Sequence, residues 1–259
     1  MWMSNRSPCP ALAPFVELLW HYEGYSQPHS HERLLPDGRA SLIIQLQSDR
    51  QDQMPLLVGA RSEPMVIETA AQTAVMGVQF KPGGLFPFLG MPGSELHNET
   101  VALDLLWGTL ARQLRDEVFA AATAELRFAL VEQALLRVAH HAGHHPAIDY
   151  ALRRFADAQA EVRPRVADLA DELGLSGRYF NQLFKEHVGM SPKVFCRVRR
   201  FQAVLARVQR VVSPDWADIA AANGYYDQAH FIHEFKAFSG LTPVAYAMRA
   251  TEHQNHVRL

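Results

Sequence analysis

VADLADELGLSGRYFNQLFKEHVGMSP at residues 166–192 and WADIAAANGYYDQAHFIHEFKAFSGLTP at residues 216–243 are two versions of one pattern, and reading them decides the fold of the C-terminal half. Leu169-Ala170 and Ile219-Ala220 lie 50 positions apart, as do Gly174 and Gly224. Phe180 and Phe231, Phe184 and Phe235, Gly189 and Gly240, and Pro192 and Pro243 lie 51 apart, so the second copy has one extra residue in its turn. Val166, Leu169, Ala170 and Leu173 fall at i, i+3, i+4 and i+7, the apolar stripe of a short helix. Ala170 and Ala220 are small where a second helix must cross closely. Gly174 and Gly224 stand where the first helix must stop through a positive φ, which glycine tolerates best. Ser176 and Asp227 are suited to capping the helix that follows. Each copy therefore predicts a helix-turn-helix.

In the second helix of the first copy, Phe180, Leu183 and Phe184 fall on the inner face, leaving Arg178, Tyr179, Asn181, Gln182 and Lys185 outside. In the second copy Phe231, Phe235 and Phe238 are inner, leaving Gln228, His230, His233 and Lys236. An outer face of Arg, Asn, Gln and His suits base-edge reading: Asn and Gln bridge adenine N6 and N7, Arg bridges guanine O6 and N7. A single such helix reads equally well as a solvated surface; two copies with matching caps, turns and Gly-x-Ser/Thr-Pro exits favour the first reading. Between the copies, Ser191 and Pro192 open a helical pattern running to about Arg210. Roughly 19 residues at ~1.5 Å each give about 28 Å, comparable with the ~34 Å between successive major grooves on one duplex face. Arg197, Arg199, Arg200, Arg207 and Arg210 on this connector offer contacts to phosphate or to acidic neighbours.

From Glu161 to Ala250 there are 12 Lys or Arg and 9 Asp or Glu, a net of +3, whereas residues 1–160 hold 12 basic and 17 acidic, a net of −5. Opposite signs point to different partners, with the basic part suited to a polyanion. The whole chain has 259 residues, a formal net charge of −2 and 48% hydrophobic residues, which excludes disorder as its main state and allows one large or two modest domains.

The segment from about Pro146 to Met248, some two-fifths of the chain, resembles the DNA-binding domain of the AraC/XylS family of bacterial transcription regulators. The likeness rests on the Leu-Ala pair, the two glycine turns, Phe-Lys in both second helices, Gly-x-Ser-Pro, and the closing Gly-x-Thr-Pro-x-x-Tyr. It implies an all-α domain with two helix-turn-helix units. Arg178, Asn181 and Gln182 then read bases in the first, and Gln228, His230 and His233 in the second, with Ala229 and Ile232 against thymine methyls. Tyr179, Lys185, Arg199 and Lys236 contact the DNA backbone, while Leu169, Ala170, Gly174, Phe180, Phe184, Ile219, Ala220, Gly224, Phe231 and Phe235 hold the units together. Three departures stand out: His233 and Ala247 occupy positions where the family often has arginine, and Glu234 brings a negative charge to the second reading helix.

The first third reads as strands and turns: Phe15–Tyr25, Ser41–Gln47, Leu56–Gly59, Met65–Thr69 and Ala74–Phe80, punctuated by Pro36-Asp37-Gly38 and Lys81-Pro82-Gly83-Gly84, which predicts a small barrel or curved sheet. From Val101 the period becomes helical, with Leu105, Leu106, Leu110 and Leu114 and then Leu126, Leu130 and Leu135. These leucines offer a homodimer face, or pack on the same chain's sheet. His140-His141-Ala-Gly143-His144-His145-Pro146 marks a helix end, with Gly143 as the left-handed stop and Pro146 opening the next helix. The expected architecture is α+β: residues 1–145 a β-rich then helical sensor domain, and 146–259 the double helix-turn-helix domain. The stretches at Leu34–Leu42, Gly77–Gly84 and Leu103–Gly108 are similar to sensor halves of one subgroup of the family. That resemblance implies an unidentified small-molecule effector, promoter duplex DNA and RNA polymerase as partners.

No cofactor and no metal is expected. His29 and His31 share one side of a strand by period two and His21 is near in sequence, but no fourth ligand follows at a convincing spacing. The tetrad at 140–145 suits a helix C-terminus. No enzymatic motif such as a nucleophile elbow, P-loop or dinucleotide fingerprint is present. The rival reading is a DNA-repair alkyl transferase or metal-dependent enzyme fused to the same module, which requires a reactive cysteine. Cys9 lies among prolines and Cys196 in the connector. A third reading is an architectural DNA binder without a ligand. Val118–Ala139, the most apolar long stretch, is interrupted by Glu125, Arg127, Glu132 and Arg137, so no membrane span is expected, and with no signal-peptide pattern a cytoplasmic protein is.

Overall fold

The computed structural model describes residues 2–24, 26, 28–47, 49, 52–140, 143, 145–156, 164–209, 214–251 and 255–259. The architecture is α+β. Nine strands, β1 (Trp2–Arg6), β2 (Val16–Glu23), β3 (His31–Leu34), β4 (Ser41–Gln45), β5 (Leu56–Val58), β6 (Met65–Glu68), β7 (Ala74–Phe80), β8 (Thr100–Ala102) and β9 (His256–Arg258), are accompanied by ten α-helices among the described residues. Contacts divide the chain into two compact units: Met1–Tyr25, Arg39–Ala60 and Gln72–Lys193 form the first, Ser26–Gly38, Arg61–Ala71 and Val194–Leu259 the second.

The first unit contains a six-stranded antiparallel sheet in the order β1-β2-β7-β4-β5-β8. It stays open: its edges β1 and β8 are not paired with each other, so the barrel alternative does not form. Gly77 is required opposite Trp20, because a Cβ there would lie 2.3 Å from the indole. Leu19, Leu42, Ile44, Met76, Val78 and Phe80 from the sheet share one core with Leu114 and Val118 of α2 (Thr109–Ala120) and Phe128, Val131 and Leu135 of α3 (Ala124–Val138). The apolar faces of both helices thus pack on their own sheet.

The leucines after Val101 do not make one continuous stripe. Gly108, at φ +57°, separates α1 (Asp104–Trp107) from α2 and resets the helical phase, leaving Leu105 on the surface while Leu114 is buried. The end of α3 also differs from the expected stop: the helix finishes at Val138 with Ala139 extended, and Gly143 does not take a positive φ. His141 and His144 lie outside the described residues. His145 Nδ1 accepts from the Ala147 amide at 3.2 Å, at the start of α4 (Pro146–Ala156).

The second unit is built on a three-stranded sheet, β6-β3-β9, which joins two N-terminal strands to the last strand of the chain. Leu35 and Val257 enter one core with Val198, Phe201, Val204 and Leu205 of α7 (Pro192–Val208) and with Ile219, Phe231, Phe235 and Tyr246. α7 has 17 residues, and Arg210 lies outside the described residues. Two polar clamps tie the sheet together. Fully buried Glu32 receives His29 Nε2 at 2.7 Å on one carboxylate oxygen and His256 Nδ1 at 2.6 Å on the other. Gln202 Nε2 donates to the Pro36 carbonyl at 2.8 Å and to Asn255 Oδ1 at 2.9 Å.

Candidate nucleic-acid interface

In the first unit α5 (Val166–Glu172) buries Leu169 and Ala170 and ends before Gly174, whose φ of +65° turns the chain. Ser176 Oγ then accepts from the Tyr179 amide at 3.2 Å and starts α6 (Gly177–Val188). Phe180, Leu183 and Phe184 of α6 are buried, while Arg178, Tyr179, Asn181, Gln182 and Lys185 are exposed. The helix stops at Gly189, φ +89°, whose amide donates to the Lys185 carbonyl at 3.0 Å.

The second unit repeats this construction. Asp215 caps α8 (Trp216–Ala222) by accepting from the Ala217 and Asp218 amides at 2.9 and 3.1 Å. Ile219 and Ala220 are buried, and Gly224 turns the chain at φ +72°. Asp227 accepts from the His230 amide at 2.7 Å and opens α9 (Gln228–Ser239). Phe231, Phe235 and Phe238 point inward; Gln228, Ala229, His230, Ile232, His233 and Lys236 are exposed. Thr242 caps α10 (Pro243–Arg249), where Tyr246 is fully buried and its phenol is pushed up to about 12 by that burial. The same grammar of cap, stripe and left-handed turn thus positions two polar helix faces, each inside its own unit.

Electrostatics separate α9 from what its sequence implied. Glu234 does not face outward: it is 3% exposed and receives Arg197 Nε at 2.8 Å on one oxygen and Arg200 Nε and Nη2 at 3.1 and 2.7 Å on the other. Its charge is thereby removed from the reading surface, and both arginines are occupied by it. Arg200 also lies over the Tyr225 ring, 4.2 Å from its centroid, and Arg197 over Phe238. Burial, then the Glu234 charge, drive the Tyr225 phenol far above its ordinary range, with Arg200 opposing. The signal for this cluster was present in the sequence, since Glu234 stands at i+3 on the stripe of Phe231, Phe235 and Phe238. Arg199, on α7 with Arg197 and Arg200, is half-buried.

On α6 a second hydrogen bond modifies a base-reading candidate: Gln182 Nε2 donates to Glu186 Oε1 at 2.9 Å, one turn along. Behind the helix-turn-helix, Arg154 of α4 and the Tyr150 hydroxyl both donate to Glu172 of α5, at 2.7 and 2.8 Å. Among the described residues no group of three or more His, Cys, Asp or Glu is arranged to hold a metal ion. His29 and His31 belong to the second unit, where His29 is engaged by Glu32, and His21 belongs to the first. No disulfide joins Cys9 and Cys196. No helix among the described residues is long and apolar enough to cross a membrane.

Residues 169–249, which span both copies, match a family model described as a helix-turn-helix domain. The chain carries an AraC-type helix-turn-helix domain. Ahead of this AraC-type domain, residues 4–102 match a domain of unknown function (DUF6597). No curated protein matches the chain. Among solved structures it is similar to ToxT from Vibrio cholerae (11% identity, TM-score 0.43, covering 95% of this chain and 97% of that one). It is also similar to ToxT with an unsaturated fatty acid bound (9% identity, TM-score 0.39, 95% and 93%). The C-terminal domain of AraT, a response regulator from Geobacillus stearothermophilus, is 21% identical, with a TM-score of 0.38, over 43% of this chain and 93% of that domain.

Proposed function

We propose that the protein is a sequence-specific regulator of transcription that acts on promoter DNA in the bacterial cytoplasm through its AraC-type domain. The observation that carries this reading is the division repeated in α6 and in α9: phenylalanines inward, and a polar outer face on each helix, of Arg, Tyr, Asn, Gln and Lys on α6 and of Gln, His and Lys on α9. Arg178, Asn181 and Gln182 on α6, and Gln228, His230 and His233 on α9, are the base contacts. Tyr179, Lys185, Arg199 and Lys236 take the phosphates. Residues 1–145 respond to a small-molecule effector, and the bound protein engages RNA polymerase, alone or as a homodimer. This reading gives the chain no catalytic chemistry.

The full chain, mixed with a library of random-sequence duplexes in a gel-shift assay at low and moderate salt, tests it. Retention of a restricted set of sequences, with affinity falling as salt rises, is the expected result. Retention of all sequences alike refutes sequence-specific regulation.

A further inference from the structure

The outer face of α6 is not an isolated surface. Arg178, Asn181, Gln182, Lys185 and Glu186 form one side of a cleft of about 470 Å³ whose other side is Pro92, Ser94 and Glu95, all within the first unit. That second wall is seated in a fixed register on the end of α6. Gly93 is buried so closely there that a Cβ would lie 3.0 Å from the Glu186 carbonyl and 3.3 Å from the Gly189 nitrogen. His97 Nδ1 donates to the Gly189 carbonyl at 2.8 Å. Leu96 is buried beneath Gly59, where a Cβ would meet the Leu96 carbonyl at 1.8 Å. Glu95 itself is exposed, on a backbone that cannot slide along α6 without breaking these contacts.

The charges lining the cleft cancel. Arg178 and Lys185 contribute two positive side chains, Glu95 and Glu186 two negative ones, and Glu186 is already engaged by Gln182. A duplex approaching α6 brings phosphates against this lining, and an exposed carboxylate beside the incoming backbone opposes the attraction that Arg178 and Lys185 supply.

We propose that residues 92–97 are a built-in competitor for DNA at the first recognition helix, with Glu95 as the residue that sets its electrostatic strength. The proposal rests on the DNA-binding reading and deepens it: the N-terminal sequence sets the affinity of the first helix-turn-helix through one carboxylate. Glu95 is exposed and Glu95→Gln keeps its shape, so the variant tests charge with little effect on folding.

The experiment measures binding of full-length wild type, Glu95→Gln and Glu95→Lys to a duplex selected by the wild type and to a random duplex, across a salt series. Circular dichroism and thermal melting confirm that each variant is folded. Glu95→Gln is expected to bind both duplexes about three- to tenfold more tightly at low salt, Glu95→Lys more tightly still, with the gain shrinking as salt screens the charge. Unchanged affinity in Glu95→Gln overturns the proposal. So does weaker binding confined to the selected duplex, which makes Glu95 a base-reading acceptor instead. If no folded form binds either duplex, it is the DNA-binding reading that fails, and this inference falls with it.

Discussion

Glu234→Gln isolates the cluster that holds the second recognition helix on α7. The carboxylate makes three charge-assisted hydrogen bonds, to Arg197 Nε at 2.8 Å and to Arg200 Nε and Nη2 at 3.1 and 2.7 Å. At about 1.5–3 kcal/mol each, three such bonds set a gross upper bound of roughly 5–9 kcal/mol. Two terms reduce it. Removing a carboxylate this deeply buried from water costs several kcal/mol, which the folded state already bears. The Arg197 and Arg200 side chains are 39% and 19% exposed, so each guanidinium recovers some hydration when its partner loses charge. Glutamine retains one carbonyl acceptor and the side-chain volume. The net loss is therefore about 1–3 kcal/mol, localised to the second unit. Of the four tryptophans only Trp216 belongs to that unit, so the urea transition that disappears in Trp216→Phe reports on it. Its midpoint is expected to fall by about 0.5–1.5 M urea with unchanged slope. In addition, Arg200→Gln should cost less in the Glu234→Gln background than in the wild type, with a coupling above about 0.5 kcal/mol. A midpoint that stays put or rises, or strictly additive single and double variants, refutes the assignment of Glu234 as the clamp.

Leu35, though distant in sequence, is buried in the core of the second unit, so Leu35→Ala should lower the Trp216-reported stability by about 2–4 kcal/mol; a loss below about 0.5 kcal/mol would place Leu35 outside that core. Gly224→Ala meets no atom within 4 Å at its Cβ, so only the left-handed backbone (φ +72°) is penalised; urea titration should show a cost of about 1 kcal/mol, and a stabilised variant would contradict the turn geometry. Burial first, with the Arg127 charge adding, holds His21 below its ordinary 6.5. The folded state therefore binds fewer protons than the unfolded chain as pH falls through 6.5, and the first unit loses stability as pH falls through and below that value. Melting curves of His21→Gln should lose part of that slope; identical slopes in the two proteins would exclude His21 as a contributor.

The helix-turn-helix copies were legible because everything that makes them is local. The Leu169-Ala170 and Ile219-Ala220 pairs, the turns at Gly174 and Gly224, and the caps at Ser176 and Asp227 act within four or five residues of one another, and the structure places each in that geometry. Four strands of the open sheet, β2, β4, β5 and β7, were legible inside single segments too, but its edges were not: β1 carries no strand signal of its own, and β8 lies where the helical period had been read to begin. What escaped depends on long-range pairing. The second sheet joins β3 to β9 through a Glu32–His256 contact between residues 224 apart, and no spacing rule signals it. Likewise Glu132 of α3 accepts from the Cys9 amide at 2.6 Å and pairs with Arg6, though on its own it reads as an interruption in an apolar helix. The wall at 92–97 carries no motif; only its packing against the end of α6 brings Glu95 to the cleft.

The central claim is that the outer faces of α6 and α9 read base edges. Random-site selection with full-length wild type, Gln182→Ala and His233→Ala, followed by sequencing, tests it most directly. Each variant is expected to remain folded and to lose preference at its own small set of base positions, at a cost of about 1–3 kcal/mol on the wild-type site. Equal weakening on every sequence, with the wild-type consensus intact, would reduce these side chains to phosphate contacts and contradict the account.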